Sequence, residues 1–137
     1  MHKKLTTLLK SQAYIDGVWA GEPGYAVTDK ASGDVITRVP DMGAEDARRA
    51  IAAAEAAFRT WSKTLAKERA IILRRFYELI LDHADELALL LTREQGKPLT
   101  EAKGEVTYGA GFVEFNAEQA KRIYGETIPA HKAGTRV

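Results

Sequence analysis

The sequence of 137 residues contains no cysteine. This absence excludes disulfide scaffolds, thiolate metal sites and cysteine nucleophiles from any chemistry that the chain performs alone. Neither sign of charge is in excess, because 20 basic residues stand against 19 acidic ones and leave a formal charge of +1. A chain without a strong net field is not steered towards nucleic acid or an anionic membrane, so we expect neither partner.

Long hydrophobic runs are also lacking. The opening stretch MHKKLTTLLKSQAY has charge followed by a few apolar residues. Its apolar run is far too short for a signal peptide or a membrane span, and we therefore expect a cytoplasmic protein. The length suits one domain, and it is sufficient to bury a core without disulfides or metals.

The first forty residues carry the signals of short strands and tight turns. In the stretch AYIDGVWA, Asp16-Gly17 favours the positive φ angles of a two-residue hairpin turn. Residues 25–29 and 34–39 are typical of two further strands, joined through a Ser-Gly turn. We predict a β arm over residues 13–40.

After the β arm, the apolar residues recur with the period of an α-helix. We predict three helices, at about residues 44–62, 65–95 and 98–124. Gly96 is expected to close the second helix in the left-handed conformation, and Pro98 is suited to the first turn of the third. The predicted fold class is α/β, a β hairpin arm plus three helices. Because this order gives no strand–helix alternation that would close a parallel sheet, we expect strand partners to be missing.

The stretch EQGKPLTEAKGEV places Gly96 beside Lys97, which raises the possibility of a phosphate-binding loop. Such a loop needs G-x-x-x-x-G-K followed by Ser or Thr, so that backbone N–H groups surround the phosphates and the hydroxyl reaches the metal. Leu91 stands in place of the first glycine, and Pro98 in place of the hydroxyl. The phosphate-loop interpretation fails, and a helix junction explains the glycine better.

Two other patterns in the sequence resemble binding sites, one for a dinucleotide and one for a metal, but each has a simpler interpretation. Gly109 and Gly111 form G-x-G, but no third glycine follows at the required spacing and no strand precedes them, so the dinucleotide fingerprint is not met. His83 lies among three acidic residues, which could suggest a metal site. A solvated helix face explains this polar stretch better, and we predict no metal site.

The third predicted helix is apolar on two sides. Its aromatic side either lines a ligand cavity or packs against another element, and on pattern alone packing is favoured. The aromatic side carries Gly104, Tyr108, Gly111, Phe112 and Phe115, and the second side carries Val106, Ala110, Val113, Ala117 and Ala120.

A resemblance to a known family is carried by five stretches in this order and spacing: YIDGVW, AIAAAEAAFRTWS, KERAIILRRFYELI, EQGKPLTEAKGEV and AKRIYGETIP. Together they resemble the N-terminal part of an aldehyde dehydrogenase. EQGKPLTEAKGEV with EFNAEQAKRIYGETIP most resembles succinate-semialdehyde dehydrogenases, which oxidise succinic semialdehyde to succinate with NAD or NADP. The resemblance covers about residues 12–137. In two departures, Asp29-Lys30 stands where the family usually has Asn-Pro, and Ala110-Gly111 places a glycine where many relatives carry a larger residue.

The resemblance implies that residues 1–137 are the N-terminal portion of a cofactor-binding, Rossmann-like domain in a subunit several times longer. The family's cysteine nucleophile, glutamate base, oxyanion asparagine and cofactor glycine turn all lie beyond this stretch. The chain then contains no catalytic residue, its cofactor-binding residues are unknown, and NAD or NADP is expected only in the complete enzyme. We expect a fragment or truncated product that is inactive alone. Its implied partners are a small aldehyde, the rest of its own subunit and further copies in a homodimer or homotetramer.

By the same resemblance, the third helix forms one wall of the tunnel that admits the aldehyde. Gly104, Tyr108 and Phe112 match tunnel-facing positions, and Phe115 continues the same side of the helix. Their role would be to pack against the carbon chain of the substrate and to exclude water. Two alternatives stay open: a non-catalytic helical module that docks to the remainder of the enzyme or to itself, and a dehydrogenase of another short-chain aldehyde.

Overall fold

The computed structural model describes residues 8–135, so both ends of the predicted 1–137 unit lie outside the described residues. Between residues 13 and 119 the chain forms two small antiparallel sheets followed by helices, which confirms the mixed α/β class. The elements are β1 (Ala13–Ile15), β2 (Val18–Ala20), β3 (Pro23–Thr28), β4 (Val35–Pro40), α1 (Ala44–Trp61), α2 (Ala66–Asp82), α3 (Ala84–Gln95) and α4 (Leu99–Gln119).

The first hairpin pairs β1 with β2 around the predicted turn. Asp16 has a φ of 53° and Gly17 a φ of 80°. Both angles lie in the region that a two-residue hairpin turn requires, so this prediction is confirmed. Tyr14 pairs with Trp19 across the strands, and their ring centroids lie 5.0 Å apart.

The second hairpin pairs β3 with β4, and it is longer than predicted at one end of each strand. Pro23 pairs with Pro40, so β3 begins two residues before the predicted strand and β4 ends one residue after it. Proline is tolerated there because these residues lie at the end of a two-stranded ladder, where a missing N–H leaves no central bond unmade. The turn contains Gly33 with a φ of 79°.

Helix α1 begins and ends within one residue of the prediction. The carboxylate of Asp46 accepts a hydrogen bond from the N–H of Gly43 at 3.2 Å, which satisfies a donor at the start of the helix. The helix has no buried residue.

The predicted helix over residues 65–95 is wrong in one respect, since the chain bends at His83 and forms two helices. His83 has a φ of −113° and a ψ of 17°, outside the helical range. Its N–H still bonds the carbonyl of Leu79, and its carbonyl accepts from the N–H of Leu87, so the bend interrupts few bonds. Asp85 and the next residue place negative charge in the new first turn, which favours a helix start there. The bend lets α2 and α3 both pack on α4.

The predicted helix over residues 98–124 is also shorter in the structure. Pro98 precedes the first helical residue, and α4 ends at Gln119 rather than at Tyr124. Beyond that end, Ile123 and Tyr124 are exposed. Helix ends without apolar contacts gain little stability from propensity alone, which explains the early stop. Gly96 closes α3 with a φ of 77°, as predicted.

Helices α2, α3 and α4 form what we call the three-helix unit, and its interior is made of alanine. The described buried residues are Ala70, Ala88, Ala102, Ala110 and Ala117. The large apolar side chains of the helices stay exposed or half-exposed. The accessible surface of 10543 Å² is about 1.5 times the ~7,100 Å² expected for a compact protein of this mass. None of the described helices is long and apolar enough to cross a membrane.

Candidate functional site

The candidate site is the aromatic side of α4, which we call the aromatic face: Gly104, Tyr108, Gly111, Phe112 and Phe115. These residues follow the spacing of one helix side, while the alanines Ala102, Ala110 and Ala117 on the other side are buried against the neighbouring helices. Tyr108, Phe112 and Phe115 are 70%, 53% and 58% exposed. The structure thus brings the four predicted channel residues to one side of one helix and leaves that side open.

The two central rings of the aromatic face contact each other. The centroids of Tyr108 and Phe112 lie 4.8 Å apart with an interplanar angle of 82°. This edge-to-face arrangement is favoured because the positive ring edge meets the negative ring face. Asn116 donates from its side-chain amide to the carbonyl of Phe112 at 2.8 Å. The two rings thus pack on each other within α4 itself.

Glycines expose the helix backbone beside these rings. A Cβ atom added at Gly104, Gly109 or Gly111 would meet no atom within 4 Å beyond its chain neighbours and the adjacent backbone of α4. Each glycine inside a helix costs about 0.5–1 kcal/mol relative to alanine. No packing within the described chain requires these glycines, so they suit a surface that a ligand or another backbone approaches closely.

Two cavities of the described chain lie away from the aromatic face. One of about 370 Å³ is lined by Trp61, Ile72, Leu73 and Ile123, between the end of α1 and the three-helix unit. Another of about 500 Å³ lies between the first hairpin and α1. The aromatic face is an open surface here, and its role as a wall of a substrate channel stays a prediction.

The acidic cluster around His83 is occupied by contacts between helices. The ammonium of Lys103 on α4 donates a hydrogen bond to Oδ1 of Asp85 on α3 at 2.7 Å, and the two form an ion pair. That hydrogen bond and the lysine's charge lower the pKa of the Asp85 carboxyl below its ordinary value. Among residues 8–135 no group of three or more His, Cys, Asp or Glu side chains could hold a metal ion.

The Gly96-Lys97 pair is explained by the helix junction. Gly96 takes the left-handed conformation, and its N–H bonds the carbonyl of Thr92 at 2.7 Å. The ammonium of Lys97 pairs with the carboxylate of Glu105 on α4.

Sequence reasoning missed one polar contact between distant parts of the chain. Arg93 of α3 donates from Nε to the carboxylate of Asp29, in the turn after β3, at 2.7 Å. The backbone N–H of Lys30 donates to the carbonyl of Arg93 at 2.9 Å. The departure from the family pattern at Asp29-Lys30 marks these two residues as unusual. It does not indicate that their partner is Arg93, which lies 64 positions away from Asp29.

Comparison with known proteins gives a consistent result. Residues 19–137 match the Aldehyde dehydrogenase family. A 3-sulfolactaldehyde dehydrogenase of Pseudomonas putida is 52% identical over 96% of this chain and 28% of its own length. A succinate-semialdehyde dehydrogenase of Escherichia coli K12, whose name specifies NADP(+), is 50% identical with the same coverage. A glutarate-semialdehyde dehydrogenase of Pseudomonas putida KT2440 is 49% identical over the whole chain and 29% of its own length.

Solved structures show the same relation. An NADP-dependent enzyme of Escherichia coli superposes with a TM-score of 0.88 at 50% identity, over 93% of this chain and 27% of the other. A succinate-semialdehyde dehydrogenase from Burkholderia pseudomallei gives a TM-score of 0.87 at 49% identity with the same coverage. The chain therefore spans less than a third of the length of these relatives.

Proposed function

The chain belongs to the aldehyde dehydrogenase family, and from this premise we propose that it is the N-terminal segment of an oxidoreductase that oxidises succinic semialdehyde to succinate with NAD or NADP. The observation that carries the proposal is the identity of about half of all residues to a succinate-semialdehyde dehydrogenase, over 96% of this chain. The names of the three relatives denote short aldehydes with an acidic group at the other end. Glutaric semialdehyde and 3-sulfolactaldehyde are the alternative substrates.

The role we assign to this chain is structural and specificity-determining. The β arm, α1 and the three-helix unit belong to the outer part of the cofactor-binding domain, and the aromatic face lines the path of the aldehyde. Tyr108 and Phe112 offer apolar ring surface to a short carbon chain, and the bare backbone at Gly104 leaves room for it. Phe115 extends this wall by one helical turn. Removing water from the path favours attack on the aldehyde over side reactions.

The chemical step needs groups that other parts of the enzyme must supply. Oxidation through a thiohemiacetal requires a thiolate nucleophile, and this sequence contains no cysteine. The described residues do not suit a dinucleotide either, since Gly109 and Gly111 lie inside α4 and Lys97 is paired with Glu105. We assign cofactor binding to the rest of the subunit. NADP is the first cofactor to test, because the name of the similar Escherichia coli succinate-semialdehyde dehydrogenase specifies it.

We further propose that the complete enzyme is a cytoplasmic homodimer or homotetramer. Large apolar side chains stay exposed on α1 and α2, among them Phe58, Ile72 and Phe76. Exposed apolar surface of this kind is normally covered by another part of the subunit or by a second copy. The same observation favours the alternative, in which the chain acts as a non-catalytic assembly module.

A chimera tests the proposal. The segment of the Escherichia coli succinate-semialdehyde dehydrogenase that aligns with this chain is replaced by residues 1–137, and NADP reduction is followed with succinic semialdehyde. We expect activity within about tenfold of the parent, since a tenfold loss is only 1.4 kcal/mol of transition-state stabilisation. The separate chain, verified by its mass of 15.1 kDa, should reduce no cofactor. A chimera that folds without activity, or turnover by the separate chain, would refute the proposal.

Variants of the chimera test the channel assignment. Phe112→Ala should raise the KM for the aldehyde while the KM for NADP stays unchanged, because the ring contacts only the carbon chain of the substrate. Phe58→Ala is the matched control, since Phe58 is a similarly exposed aromatic residue, 64% against 53%, on α1. Equal effects of the two substitutions would show that the aromatic face has no special role. If the chimera is inactive and the separate chain forms a defined oligomer, the assembly module is the better explanation.

A further inference from the structure

We propose that Asp29, Lys30 and Arg93 form a clasp that fixes the β3–β4 hairpin on the junction between α3 and α4 and so positions the start of α4. Two bonds make the clasp: Arg93 Nε to the carboxylate of Asp29 at 2.7 Å, and the N–H of Lys30 to the carbonyl of Arg93 at 2.9 Å. The side chains of Asp29 and Arg93 are 13% and 25% exposed, less than in any other ion pair of the described chain. Such a partly buried pair is screened less by solvent than a surface pair.

Asp29 serves the hairpin turn and the clasp at the same time. Its Oδ1 accepts from the N–H of Ala31 at 2.9 Å and from that of Ser32 at 3.4 Å, while its Oδ2 accepts from Arg93. Its own N–H donates to the carbonyl of Asp34 at 2.9 Å. Asparagine has a single side-chain oxygen, so it could keep the turn bonds or the arginine bond but not both. The second oxygen of the carboxylate is what joins the turn to α3.

Lys30 contributes through its backbone. A proline at this position would have no N–H to donate to the carbonyl of Arg93. An Asn-Pro pair at residues 29 and 30 would therefore lose the bond from the N–H of residue 30, and it could keep the arginine bond only at the expense of the turn bonds. Residues 29 and 30 thus each supply one bond to the same residue of α3.

The clasp acts on α4 through the helix junction. A Cβ atom added at Gly96 would lie 3.2 Å from the Cβ of Lys30, so the hairpin lies directly against the left-handed residue that ends α3. The next residue, Lys97, pairs with Glu105, which is adjacent to Gly104 at the start of the aromatic face. The contacts therefore run without interruption from the hairpin turn to the first two turns of α4.

Hydrogen exchange of single amides in the 137-residue chain tests the clasp. Asp29→Asn should speed exchange at the N–H of Lys30, and at the N–H of Ala102, which bonds the carbonyl of Pro98 in the first turn of α4 at 3.0 Å. We expect a change of about tenfold, the size that follows from losing a hydrogen bond to a charged group. Glu45→Gln is the matched control, because its partner Arg48 lies at a similar distance of 3.0 Å but both side chains are largely exposed.

A second variant separates coupling from general weakening. In the Arg93→Gln background, Asp29→Asn should cause no further acceleration at Ala102, because the bond that it removes is already absent. Lys30→Pro should also speed exchange at Ala102. Additive effects of the two clasp substitutions, unchanged exchange at Ala102, or equal acceleration throughout α1 would each overturn the proposal.

Discussion

The three-helix unit and α1 use similar residues in opposite ways. Both are rich in alanine, and in the three-helix unit five alanines form the described interior. In α1 no residue is buried, although Ile51, Phe58 and Trp61 lie on its apolar side. Helix α1 thus has a clear apolar side, yet it buries less against the rest of the described chain than the helices of the three-helix unit do.

This difference shows which helices find their packing partners within the described chain. Alanine lets helices approach closely, so alanines fill the fully buried positions of the three-helix unit. Several of its large side chains, among them Ile72 and Phe76, stay exposed. Those large side chains are suited to surfaces that the described residues do not provide. On this account α2, α3 and α4 support each other, while α1 depends on an additional partner.

The largest expected effect comes from enlarging an interior alanine. Ala110 is 1% exposed, and Ala110→Leu should lower the free energy of unfolding by about 1–3 kcal/mol, since the added atoms have no space. Ala47→Leu on the exposed surface of α1 is the matched control and should change it by less than about 0.5 kcal/mol. Urea unfolding followed by far-ultraviolet circular dichroism measures both. Similar losses in the two variants would remove the contrast between the regions.

A second pair of substitutions separates the closed and open sides of the three-helix unit. Gly96 has a φ of 77° and lies against Lys30, so Gly96→Ala should destabilise the chain by about 1–2 kcal/mol. Gly104 lies inside α4 in open space, and Gly104→Ala should stabilise it by about 0.5–1 kcal/mol. Changes of opposite sign in the same unfolding assay are the expected result. A loss of stability at Gly104 would mean that the aromatic face is already in contact with something.

The smallest expected effect is a pH dependence from the contact that joins the hairpin to the three-helix unit. The hydrogen bond from Arg93, followed by that from the N–H of Ala31, lowers the pKa of Asp29 below its ordinary value of 3.8, although desolvation opposes the shift. A lowered folded-state pKa contributes stability that is complete above the unfolded value and is lost as the pH falls through the folded value. Wild type should therefore be more stable than Asp29→Asn at neutral pH, with a difference that narrows below about pH 4. A difference that is constant from pH 7 to pH 2 would contradict this assignment.

Local features of the fold could be predicted from the sequence because their causes are local. The positive φ angles of Asp16 and Gly17 and the left-handed cap at Gly96 follow from residue type alone. The bend at His83 could not be predicted in this way, since the apolar pattern continues through it. It depends on how α2 and α3 both reach α4.

The candidate site shows the same division. The spacing of Tyr108, Phe112 and Phe115 predicted one shared helix side, and the structure agrees. The buried side of α4 is set by the alanines of the helices that face it. Periodicity in one helix does not identify the facing helix, so the buried side could not be predicted. The Asp29–Arg93 contact joins residues 64 positions apart. A contact between residues so far apart in the chain cannot be predicted from one sequence; it would need a comparison of many related sequences.

The most direct measurement is hydrogen exchange along the 137-residue chain at neutral pH. The amides of Ala102, Ala110 and Ala117 should exchange slowest, and amides throughout α1 should exchange at least tenfold faster, since local stability follows buried contacts. Protection of α1 equal to that of α4 would contradict this expectation, because α1 would then be stable without an additional partner.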